Sequence, residues 1–181
     1  MKKIFYLVKN DLIIEFRQRF SFYGILLYIT ATIFLIYLSN QQINTTVWHS
    51  LFWIVQLFAC VNAVTKNNTI QTNHTLLYYY TICAANEYLI SKMILNAFLM
   101  LVLSIINFIL FGLFLHVQFT NYFLFLSMGT LGGISISLLF TFLSALAQKA
   151  NQQASMVVIL GFPIIIPLFI IIIKITTILT A

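Results

Sequence analysis

Carboxylates are nearly missing from this sequence. Asp11, Glu15 and Glu87 are the three in 181 residues. None lies inside an apolar run, which excludes paired-carboxylate acid–base chemistry there. It also argues against ion-driven transport, which usually keeps ionisable groups within the membrane. Charge of either sign is scarce, at 7% of residues, where a soluble domain carries about 25%. Such a chain cannot cover itself with a polar surface. The two cysteines, Cys60 in an apolar run and Cys83 in a polar loop, share no CxxC or zinc-type spacing, so neither a disulfide nor a thiolate metal site is expected. There is no GxxxxGK phosphate loop, no HExxH and no nucleophile elbow. The chain is therefore not expected to be an enzyme by itself. Internal repeats, low-complexity tracts and Pro/Gly-rich linkers are absent too. "MKK" could open a signal peptide, but Lys9, Asp11, Glu15, Arg17 and Arg19 interrupt any apolar h-region.

What is present is apolar: 62% of residues are hydrophobic and the mean hydropathy is +1.04. A membrane-spanning helix needs about 20 mostly apolar residues. Five runs meet that length: 20–38, 47–64, 93–115, 122–147 and 154–173. None alternates as a membrane β-strand would. The fold class is thus all-α, a polytopic integral membrane helix bundle in one domain. Before the first run, "KKIFYLVKNDLIIEFRQRF" places Phe5, Val8, Leu12 and Phe16 at helical spacing, with Arg19 on the same stripe. We read residues 1–19 as an interfacial helix; the alternative is a first span that starts early.

The nine Lys+Arg residues mostly flank the apolar runs and form no patch of the kind nucleic acid needs. Lys2, Lys3, Lys9, Arg17 and Arg19 precede the first run, Lys66 and Lys92 lie in the loop 65–92, and Lys149 follows the fourth run. "SNQQINTT" and "HVQFTN" carry no charge. The positive-inside rule then puts the N-terminus, the loop 65–92 and the Lys149 loop in the cytoplasm. Lys174 alone opposes this, and the C-terminus falls outside.

Within the runs, Gly129, Gly133, Ser137, Thr141 and Ala145 recur every fourth residue. Such a stripe lets another helix approach closely, or lines a substrate groove. Asn96, Ser104 and Asn107 in the third run, and His49, Trp53, Gln56 and Cys60 in the second, read as polar groups buried against neighbouring helices. Trp48 and Trp53 read as an aromatic belt at the outer end. A second reading makes His49, Trp53 and His116 contacts for a flat aromatic ligand such as haem, with histidine as axial ligand. Pro163 and Pro167 each remove a helical hydrogen bond, and lipid tolerates this only where protein or water satisfies the freed carbonyls. The proline face is expected to point into protein, as a static kink or as a helix that moves. In the loop 65–92, "TLLYYYT" offers Leu76, Leu77, Tyr78 and Tyr79 as an apolar patch for a partner, or as an anchor at the membrane interface.

The chain resembles the haem exporter protein B (CcmB) family. The stretches that carry the resemblance are "KNDLIIEFRQRFSFYGILLY", "LFWIVQLFACVNAV", "LLYYYT…EYLISKMILN" and "LGGISISLLFTFLSALAQKANQQASMVVILGFPIIIPLFI". Together they cover nearly the whole chain, and the tyrosine-rich loop is similar to the Bacteroidota branch. The resemblance implies a six-span permease of the bacterial inner membrane, present as two copies with two copies of a separate ABC-type ATPase that binds the ATP. It implies work beside a haem-handling membrane protein and a periplasmic haem chaperone in cytochrome c maturation. Haem is then the handled species, with no cofactor held by the chain itself. Two departures stand out: nothing from Lys66 to Asn86 is acidic, and the sequence stops at Ala181 where the family has a sixth span. The rivals to this reading are an ABC-2-type exporter subunit for a lipid or drug, and a non-transporting scaffold in cytochrome assembly.

Overall fold

The computed structural model describes residues 2–17, 19–39, 44–69, 84–115, 122–149 and 154–180. They form six helices: α1 (Lys2–Arg17), α2 (Arg19–Ser39), α3 (Thr45–Thr69), α4 (Ala85–Phe114), α5 (Tyr122–Lys149) and α6 (Ala154–Thr180). No strand occurs among the described residues. The cause is the solvent: hydrocarbon offers no hydrogen bonds, so each spanning segment must satisfy its own backbone. Four stretches are long and apolar enough to cross a membrane: Phe22–Ser39, Val47–Thr65, Asn86–Phe114 and Tyr122–Ala147. The described apolar part of α6, Pro163–Thr176, is shorter, within a 27-residue helix.

Helix α3 lies at the centre, against α2, α4, α5 and α6. Helices α4 and α5 pack along each other, and α6 closes on α5 and α3. Helix α1 lies on α4 and touches α2. The loop expected over 65–92 is shorter than the hydropathy implied. Helix α3 continues to Thr69 and α4 begins at Ala85, with the Glu87 carboxylate accepting from the Ala84 backbone N–H at 3.4 Å. The polar start of α4 is helical because α1 packs against it, which apolar length alone cannot indicate. Leu76, Leu77, Tyr78, Tyr79 and His116 lie outside the described residues.

One expectation, the inward proline face of α6, is corrected. On α1, Phe5 is 70% exposed and lies off the face that packs on the bundle. The packed face runs instead through Ile4, Val8, Asp11 and Glu15, at helical spacing. The side chain of Phe16 lies outside the described residues. In α6, Pro163 and Pro167 are exposed within this chain, whereas Gly161 and Ile165 are buried. Gly161 decides the orientation: a Cβ there would stand 2.9 Å from Phe140 Cε1, so the helix can seat that face closely on α5. Two residues further on is the opposite side of a helix, and the prolines follow it outward.

Candidate functional site

The interior between α3, α4 and α5 combines aromatic rings with neutral polar groups. At the end where α3 starts, Trp48, Phe52, Phe111 and Phe125 interlock. Trp48 stacks on Phe52 with centroids 5.6 Å apart and meets Phe111 and Phe125 edge-on at 5.2 and 5.1 Å. His49 lies 5.2 Å from Phe125. Such pairs add about 0.5–1.5 kcal/mol each beyond their area. Glycines in α5 make the room. A Cβ on Gly132 would stand 2.4 Å from Trp53 Cη2, and one on Gly129 would stand 3.3 Å from Phe52 Cζ.

Trp48 and Trp53 are therefore not an aromatic belt: both are fully buried. The spacing 48, 49, 52, 53, 56 keeps them on the α3 face that meets α4 and α5. His49 is 1% exposed. Its surroundings are filled by Trp48 and Phe125, so the residues present do not fit an axial ligand to a macrocycle.

A polar row continues from the rings. The Gln56 side-chain amide donates to Ser104 Oγ, which donates to the Met100 carbonyl at 2.7 Å. Asn107 Nδ2 donates to Gln56 Oε1 at 2.9 Å. Further along, Asn96 Nδ2 donates to Thr141 Oγ1 at 2.9 Å, and that hydroxyl donates to the Ser137 carbonyl at 2.7 Å. Gly133 abuts this row, since a Cβ there would stand 2.5 Å from Gln56 Nε2 and 2.6 Å from Ser104 Oγ. The inward stripe of α5 is thus Gly129, Gly133, Ser137 and Thr141, all buried. These groups are neutral. They can fix the register of three helices, but they offer no acid, base or nucleophile. No group of three metal-ligating side chains occurs among the described residues.

The charged feature lies elsewhere. Lys92 Nζ meets Asp11 Oδ2 at 2.7 Å, with the two side chains 8% and 10% exposed. This pair ties α1 to the start of α4, and Lys92 also stands 5.6 Å over the Tyr88 ring. Glu15, one turn after Asp11, is buried as well. Spacing along the chain shows these charges singly and does not reveal the pairing. The available signal was two of the chain's three carboxylates spaced i, i+4 on an otherwise basic helix. On the outer face of α5 and α6, a groove of about 430 Å³ runs past Met128, Leu131, Gly132, Leu139, Pro167 and Ile171.

The profile of the CcmB protein family matches residues 2–180 of the chain. No curated protein and no solved structure matches it. A match of that extent takes in helix α1, the central α3–α5 packing and the proline helix together, and on it the chain belongs to the CcmB family.

Proposed function

We propose that this protein is the membrane permease subunit of an ABC-type complex that exports haem, or releases a haem-loaded chaperone, during c-type cytochrome biogenesis. The observation that carries this reading is the family match over residues 2–180. The chemistry of the interior agrees with a dependent subunit. The polar row is neutral and no phosphate-binding loop exists, so the work comes from a separate ATPase. The other partners are a haem-handling membrane protein, a periplasmic haem chaperone and a second copy of this chain. The ring cluster around Trp48 and Phe125 fills the bundle at one end, so any cargo passes outside this core, along a lipid-facing surface or between chains. A cluster that dense also suits the rival scaffold role, in which the chain assembles partners without moving anything.

The ATPase contact is assigned to the loop with Leu76, Leu77, Tyr78 and Tyr79. Replacing Leu77 and Tyr79 with Asp puts charges on an apolar contact, where unpaired burial is costly. The protein should still insert, since the spans are untouched. Co-purification with the ATPase should fall at least tenfold, and c-type cytochromes should disappear while b-type haem proteins persist. Normal c-type cytochromes in a strain lacking the chain altogether would overturn the function. A permease is separated from a scaffold by ATPase activity that requires this chain.

The proposed orientation has its own measurement. In a cysteine-free background, a cysteine at position 42 should react with impermeant reagent from the periplasm, and one at position 73 from the cytoplasm. The reverse pattern would invert the topology.

A further inference from the structure

Helix α1 sorts its charges by face. Asp11 and Glu15 turn toward the bundle, where Asp11 pairs with Lys92 at 2.7 Å. Lys3, Lys9 and Arg17 turn away from it and are exposed. Between these cations stand Phe5, Tyr6 and Ile13, exposed at 70%, 69% and 55%. The outward face therefore alternates cations with large apolar groups and carries no carboxylate of its own helix. Had the helix been turned by half a rotation, the two carboxylates would have neutralised most of that charge.

We propose that the outward face of α1 is a binding surface for anionic phospholipid, with Phe5, Tyr6 and Ile13 in the acyl–headgroup boundary and Lys3, Lys9 and Arg17 on the phosphates. The choice of a lipid surface over another protein follows from the combination. Apolar side chains beside cations are what an interfacial helix needs, since long basic side chains lay their stems on apolar surface and lift the charge into the headgroups. The net positive face, with both nearby carboxylates withdrawn, selects anionic over zwitterionic lipid by charge complementarity, at about fivefold in affinity for each cation. A second copy of the chain would bring the same positive face and be repelled. The Asp11–Lys92 pair has a part in this: it holds the helix in the rotation that presents the cations to the membrane.

The test uses the full chain in detergent, with equimolar phosphatidylglycerol and phosphatidylcholine added, and native mass spectrometry to count retained lipids. The unaltered protein should retain phosphatidylglycerol preferentially, and raised salt should weaken the preference. The variant with Lys3→Gln, Lys9→Gln and Arg17→Gln should lose at least about tenfold in the ratio of the two lipids. The charge-preserving variant with Lys3→Arg, Lys9→Arg and Arg17→Lys should keep it. If the triple glutamine variant is unstable, the three single variants serve, each lowering the ratio about fivefold. Equal retention of the two lipids by the unaltered protein would overturn the proposal, as would an unchanged ratio in the glutamine variants. So would glutamine variants that keep phosphatidylglycerol but lose the ATPase subunit, because the face would then be a protein interface.

Discussion

Gly132→Ala should lower the thermal midpoint of the purified protein, although it adds a single methyl group. The added Cβ would stand 2.4 Å from Trp53 Cη2 and 2.8 Å from Cζ3. Trp53 is fully buried, and a rigid indole seated among packed neighbours has nowhere to withdraw. Overpacking of this kind costs about 1–3 kcal/mol. Gly133→Leu should cost more, because it also drives apart Gln56 and Ser104 and strands an amide in the bundle, at about 1–3 kcal/mol for each unsatisfied group. Gly112→Ala is the control. Nothing lies within 4 Å of a Cβ at Gly112, and it sits in the last turn of α4, so the change should leave the midpoint nearly where it was. Size-exclusion profiles after heating give the midpoints. Equal midpoints for all three variants would mean that the α5 stripe is not a contact surface.

Those glycines also show what a sequence can disclose. The four-residue recurrence along α5 is a local pattern, so its inward face could be read from spacing alone. The same holds for the amides of Gln56 and Asn107, which have no partner in lipid and so belong inside. What spacing does not carry is rotation about a helix axis when both sides are apolar. Trp48 and Trp53 read as a belt because belts are where tryptophan is common; the deciding feature is the glycine space on α5, which is not visible from α3. The prolines of α6 went the same way. Their freed carbonyls argued for a protein-facing side, but the close approach of Gly161 to Phe140 set the rotation. The residues expected to meet the ATPase, Leu76 to Tyr79, lie outside the described residues and stay with the resemblance.

The second large effect concerns a pair 81 residues apart in sequence. Lys92→Met removes one charge and leaves the Asp11 carboxylate, a side chain 10% exposed, without its partner at the α1–α4 contact. Losing one partner of a buried ion pair costs about 3–5 kcal/mol, whereas replacing both with apolar residues is often neutral. Lys92→Met alone should therefore release α1 from α4, and limited proteolysis should cut near the N-terminus of the intact, solubilised protein. The double variant Asp11→Leu, Lys92→Met should restore protection, and the difference between single and double variants measures the coupling. A double variant as protease-sensitive as the single one would show that the pair does not hold the helix in place.

Helix α3 carries a consequence for how the protein is made. Its Val47–Thr65 stretch is the least apolar of the four long enough to span, yet 61% of the apolar window in it is buried, against 17% for Phe22–Ser39 of α2. Its His49, Gln56 and Asn62 penalise release into lipid on its own. The groups that satisfy Gln56, namely Ser104 and Asn107, and the glycine gaps that accept its rings are synthesised later. Helix α2 needs little from the rest of the chain to sit in the bilayer, while α3 gains its hydrogen-bond partners and the space for its rings only once α4 and α5 are present. The helix at the centre of the bundle is thus the span whose place depends most on segments made after it.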